Sequence, residues 1–192
     1  MHGWKQVFTN EVMLRYAFDM PPTSAPGEAF NYCNTNFGLL GLAIESITGL
    51  PFDTVLENKI LLPLGLNDTY YSSIDPYPVG LVRGYTDVDL NGHVEDSSCY
   101  QDGLRSPAGG VVSSVWDLKI FIEALLKYRI LLSDKSLTEM QTWVPAGIVA
   151  DGYGLGLFIR GNNIGHTGGV VGYSSEVLYN PVTDVTMVTL VN

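Results

Sequence analysis

The sequence predicts an α+β fold, with helices first and an antiparallel sheet after them. Three observations carry this. Through about residue 143, apolar residues recur at three- to four-residue spacing in several segments. From Tyr153 onward, four short runs rich in apolar residues are separated by Gly- and Asn-containing turns. Finally, 46 % of the 192 residues are hydrophobic and only 16 % charged, which gives ample material for a core. Short turns between sequential strands favour antiparallel pairing, and segregated helices and strands define the α+β class.

The elements follow in order. A first helical pattern runs from about Thr9 to Phe18, and Pro21-Pro22-Thr23-Ser24-Ala25-Pro26-Gly27 then breaks it. After Asn34, Phe37, Leu40, Ile44 and Ile47 mark a stronger helix, closed by Gly49 and Pro51. Another is expected from about Phe52 to Leu61, stopping before Pro63. Residues 70–105 turn to Tyr, Asp, Gly and Pro, and Gly84 to Glu95 reads as a hairpin turning at Asn91-Gly92. Ser114 and Asp117 resemble a capping box ahead of a helix with Leu118, Phe121, Ile122, Leu125 and Leu126 on one face. A shorter helix covers about Ser136 to Trp143. The strands are expected at about Tyr153–Arg160, Ile164–Gly169, Tyr173–Tyr179 and Val185–Val191. Trp4, Trp116 and Trp143 read as packing residues.

Composition excludes several classes. Ten basic against twenty acidic residues give a net charge of −10. Such a surface repels phosphate backbones and anionic lipid, so no nucleic-acid partner is expected. No apolar run approaches the ~18 residues of a membrane-spanning helix. Cys33 and Cys99 read as free thiols, with one disulfide left open, and no metal-like spacing joins them to the histidines. Asp87-Val88-Asp89-Leu90-Asn91-Gly92 opens like a calcium loop, but Ser98 stands where the closing Glu belongs, so a hairpin turn is the better reading.

Two short motifs could carry chemistry. Tyr32-Cys33-Asn34 lies where a loop enters a helix. In an extended segment, residues two apart face one side, so the phenol and the amide could share a cleft. Tyr32 could relay protons if neighbouring cations lowered its pKa from about 10. Equally, Tyr32 could be packing and Asn34 a helix cap. Ile164-Gly165-His166-Thr167-Gly168-Gly169 falls on a predicted strand. Its glycines would let a substrate lie close to the backbone, with the Gly169 N–H available to an oxyanion. The alternative is a glycine-rich bend with a surface His.

Together with Pro26-Gly27-Glu28 upstream, Pro63-Leu64-Gly65-Leu66 and Ser106-Pro107-Ala108-Gly109-Gly110, these motifs stand in an order that covers nearly the whole chain. In that order the sequence resembles the serine β-lactamase, penicillin-binding and D,D-peptidase superfamily, most closely its class C-like branch with esterases and D-aminopeptidases. The resemblance implies a β-lactamase/transpeptidase-like fold: a single partial domain with a mainly helical part to about residue 150 and the strands of the sheet over about 151–192. It implies an acyl-enzyme hydrolase acting on an ester, amide or lactam, with no cofactor and no metal. Tyr32, Asn34 and His166 would be the catalytic residues, and Thr167, Gly168 and Gly169 would bind substrate. A bacterial periplasmic or secreted location is implied, with any export signal upstream.

One departure matters most. The superfamily attacks with the Ser of a Ser-x-x-Lys motif. Three residues before Lys5, Lys59, Lys119, Lys127 and Lys135 stand His2, Leu56, Trp116, Ala124 and Leu132, so this chain has no such motif. The expectation is a fold incomplete at both ends, with the nucleophile supplied from outside the chain, from a longer protein, a completing chain or a homo-oligomer. A second departure is His166 where β-lactamases carry Lys. A His is only partly charged near neutral pH, so selection for substrate carboxylates should be weak. Two rivals remain. One is a binding or regulatory protein that keeps the cleft without a nucleophile. The other is a hydrolase using Ser174 or Ser175 with His166.

Overall fold

A computed structural model describes residues 10–71, 80–98 and 106–192. His2, Trp4 and Cys99 lie outside the described residues. Helix α1 (Asn10–Phe18) packs against α2 (Asn34–Thr48). The latter starts after an extended Cys33 (φ −147°, ψ 121°), so Cys33 rather than Asn34 occupies the cap position. It ends at Gly49, whose φ of 68° is a left-handed conformation that suits glycine and directs its N–H to the Glu45 carbonyl at 2.8 Å. A Cβ on Gly41 would come within 2.1 Å of the Pro107 ring, so this helix lies tight against the Ser106-Pro107 loop.

The next helix departs from expectation. Helix α3 (Phe52–Leu56) does not stop before Pro63. It continues through a π-helical turn, Glu57–Leu61, into α4 (Leu62–Leu64) and ends at Gly65. Proline lacks the N–H that an α-helix would use, and the widened hydrogen-bond register just before it accommodates that loss.

Strand β1 (Tyr70–Tyr71) pairs with β4 (Val111–Val112), and β2 (Tyr85–Thr86) pairs with β3 (Glu95–Asp96). The second pair is the expected hairpin with a longer turn. The Asp87 carboxylate accepts from the Asn91 and Gly92 amides at 2.9 and 2.7 Å and holds the turn closed.

Helix α5 (Val115–Ile122) has Ser114 at its cap, accepting from the Asp117 amide at 3.2 Å. The acidic half of the expected capping box does something else. Asp117 is buried, and its carboxylate accepts from the Asp68 amide and the Thr69 hydroxyl, each at 2.8 Å, tying α5 to the end of α4. A π-helical turn, Glu123–Lys127, follows, and then α6 (Asp134–Met140), capped by Ser133.

The main sheet is antiparallel in the order β5 (Gly152–Tyr153), β6 (Phe158–Arg160), β7 (Asn163–Val170), β8 (Tyr173–Asn180), β9 (Val185–Val191). The single strand expected over Tyr153–Arg160 is two strands. A Cβ on Gly154 would meet the Met140 carbonyl at 2.1 Å, and Gly156 takes φ 81°, so the chain doubles back between them. Consecutive β8 residues point to opposite faces of the sheet. Tyr179 joins Ile164, Ile122, Leu125 and Leu137 in one core cluster, and Leu178 joins Tyr153, Phe158, Ala146 and Ala150 in the other. Both faces are therefore covered at this end. Trp143 packs against the first cluster as expected, whereas Trp116 is 71 % exposed and packs little.

Candidate active site

The site forms where the entry to α2 meets β7. Tyr32 precedes the extended Cys33, and His166 follows the last β7 residue that β6 pairs, Gly165. A Cβ on Gly165 would fall 1.8 Å from the Val177 carbonyl, so close strand packing requires glycine there. The β6 partnership covers only 163–165, which leaves the outer edge of β7 from His166 onward without a strand partner among the described residues.

The Tyr32 and His166 ring centroids are 5.9 Å apart. Tyr153 completes a near-equilateral triangle, 5.9 Å from Tyr32 and 5.7 Å from His166. Its hydroxyl lies 2.8 Å from His166 Nε2, and His166 Nδ1 lies 2.5 Å from the Thr167 carbonyl. Phe158 at 5.9 Å supports the other side of the imidazole, and Phe30 stacks on Tyr153 at 4.9 Å. The two phenols titrate high. Burial, then the neighbouring Cys33, raises the Tyr32 pKa above its ordinary value; burial, then Tyr32, pushes Tyr153 to about 12. The Cys33 thiol is exposed and its pKa is lowered by the Thr35 hydroxyl and first-turn amides, against a smaller burial effect.

The other expected residues divide. Thr167, Gly168 and Gly169 line an open groove of about 500 Å³ together with Ser174, Ser175 and Glu176. Neither Tyr32 nor His166 lines it, although it begins at the residue next to His166. Gly169 has open space where a Cβ would sit. Asn34 is exposed in the first turn of α2, and among the described residues no side-chain hydrogen bond ties it to Tyr32 or His166. Ser174 pairs with Gly169 and Ser175 with Gly168, and neither hydroxyl bonds His166, whose two nitrogens are already engaged. That geometry gives no support to a Ser174–His166 or Ser175–His166 pair. Tyr153 and Phe158 escaped the sequence reading. An unbroken strand would have carried Tyr153 away from His166, and the signal for the break was the pair Gly154 and Gly156. Among the described residues, no His, Cys, Asp and Glu group could hold a metal, and no single helix is long and apolar enough to cross a membrane.

Comparison with known proteins identifies the family and the fold. A family model described as Beta-lactamase matches residues 2–192. A D-stereospecific amidohydrolase from Streptomyces sp. superposes with a TM-score of 0.89 at 31 % identity, over 98 % of this chain and 57 % of its own. The octameric penicillin-binding protein homologue from Pyrococcus abyssi superposes at 0.83 with 31 % identity, over 98 % and 45 %. Protein flp of Staphylococcus aureus is 28 % identical over 87 % of this chain and 34 % of its own length. The chain belongs to the β-lactamase family. Its helices and antiparallel sheet are those of the β-lactamase/transpeptidase-like fold, and it spans about half the length of the solved relatives and about a third of that curated one.

Proposed function

We propose that this chain supplies two walls of the active site of a serine hydrolase that works through an acyl-enzyme on an ester, amide or lactam. The observation that carries the reading is the meeting of Tyr32, from the helical half, with His166, from the sheet, at 5.9 Å. The attacking Ser comes from a segment outside the chain. Its oxygen bonds to the substrate carbonyl carbon, its proton passes to Tyr32, and the carbonyl oxygen becomes an oxyanion. Collapse breaks the bond to the leaving group, which takes the proton back from Tyr32. Water repeats the sequence and frees the acid.

The Gly169 N–H stabilises the oxyanion together with the nucleophile's own N–H. Support comes from the ladder. Val170 and Tyr173 flank a two-residue turn and bond each other, so alternation turns the Gly169 N–H towards the outer edge. Asn34 orients the substrate amide, and Thr167 with Gly168 holds its far end. Tyr32 takes a proton only if it is first ionised. Burial and Cys33 oppose that, so a cation from outside this chain must lower its pKa. A Ser-x-x-Lys ammonium is the group that fits.

With His166 in place of a Lys, neutral esters and amides are preferred over substrates anchored by a carboxylate. The D-stereospecific activity named for the Streptomyces relative is consistent with an amide substrate. The test is a fluorophosphonate probe on the longest protein that the source reading frame encodes. Labelling is expected on a Ser outside residues 1–192, slowed about 100-fold or more by Tyr32→Phe. Labelling of Ser174 or Ser175, or labelling indifferent to Tyr32→Phe, overturns the mechanism. No labelling at all favours the non-catalytic binding protein.

A further inference from the structure

We propose that Tyr153 is the positioning residue of this site: its hydroxyl donates to His166 Nε2 and fixes the imidazole as the Nδ1–H tautomer. The assignment follows from hydrogen-bond chemistry. A backbone carbonyl only accepts, so the 2.5 Å approach of Nδ1 to the Thr167 carbonyl places the proton on Nδ1. In a neutral imidazole Nε2 is then an acceptor. The hydroxyl bonded to it is that of Tyr153, at 2.8 Å. Burial keeps that phenol protonated well past neutral pH, so the donor is permanent. The edge-on contact with Tyr153, at an interplanar angle of 84°, and the Phe158 ring at 5.9 Å hold the imidazole in place.

The consequence bears on substrate choice and rests on the serine-hydrolase reading. In that tautomer both nitrogens are engaged, so the His166 ring beside the groove offers a substrate no free nitrogen. The groove beside it is lined by the Thr167, Ser174 and Ser175 hydroxyls and the Glu176 carboxylate, a lining that suits a neutral carbonyl or amide better than an anion. Tyr153 thus sets the chemistry of the wall without touching the reacting atoms.

The tautomer is read by long-range ¹H–¹⁵N correlation spectroscopy of the 192-residue chain near pH ~9, where an ordinary imidazole is neutral. The wild-type chain is expected to carry its His166 proton on Nδ1. Tyr153→Phe keeps the ring and removes one hydroxyl, and a measurable fraction of Nε2–H should then appear. A wild-type proton on Nε2 overturns the proposal without any variant. So does a Tyr153→Phe spectrum identical to wild type. In the longest encoded protein, Tyr153→Phe is expected to lower kcat/KM for a neutral ester about tenfold, the worth of one hydrogen bond. A shifted tautomer with unchanged kcat/KM supports the positioning role and counts against the hydrolase reading instead.

Discussion

The two halves of the molecule are built to different standards. From Ile122 onward, twelve apolar residues are buried, among them Phe158 and Leu137, and two clusters cover both faces of the sheet. Before Ile122, Leu14 and Leu66 are the buried apolar residues among those described. Helix α2 has the right period, yet Leu40 is 58 % and Ile47 85 % exposed. The lesson is that the second half buries its apolar residues in two clusters, whereas the first half, among the described residues, leaves an apolar stripe on α2 exposed. Tyr32 stands at the seam between them.

Truncations on the two sides should differ sharply. Phe158→Ala removes a 2 % exposed ring from the second cluster and is expected to cost about 3–5 kcal/mol in chemical denaturation followed by circular dichroism. Leu40→Ala, on the open stripe, should stay within about 0.5 kcal/mol. Equal losses would erase the distinction drawn here.

Asp117 sharpens the comparison from within the first half, where it ties α5 to the segment after α4. Asp117→Ala leaves the Asp68 amide and the Thr69 hydroxyl without their acceptor, and about 2–3 kcal/mol should be lost. An undiminished denaturation midpoint would mean that α5 and the end of α4 are held together by something else.

A smaller, pH-dependent effect sits where the two halves meet. Glu123 accepts from Lys119 and from Thr186 on β9, each at 2.8 Å. The Lys119 bond, ahead of an opposing burial effect, lowers its carboxyl pKa on folding. A depressed acid contributes stability that is complete above its unfolded value, about 4.3, and is lost as pH falls through the lower folded value. Glu123→Gln should therefore flatten the acid limb of a stability–pH profile. An unchanged slope between about pH 5 and 3 would contradict the assignment.

Much of this was legible in the residues. Gly49 ends a helix because a left-handed turn suits glycine, and Ser114 starts one because its oxygen reaches an orphan amide. The long strands were readable from their turns. What escaped was tertiary in origin. The break at Gly154 depends on the Met140 carbonyl, fourteen residues away, and it decides which strand Tyr153 joins. Asp117 looked like half of a local cap but serves Asp68 and Thr69, a partnership with no local periodicity. Of the candidate site, Tyr32 and His166 were legible as a pair and do meet. Asn34 was read from its two-residue spacing to Tyr32, and the structure puts it in the first turn of α2 with Cys33 taking the cap.

The central claim is that a phenol from the helical half and an imidazole from the sheet face each other across one site. Nuclear Overhauser contacts between the ring protons of Tyr32 and His166 test it most directly. Cross-peaks that vanish in Tyr32→Ala, while those between Tyr153 and His166 persist, are the result this account predicts. Strong Tyr153–His166 cross-peaks with none from Tyr32 in the wild-type chain would contradict it.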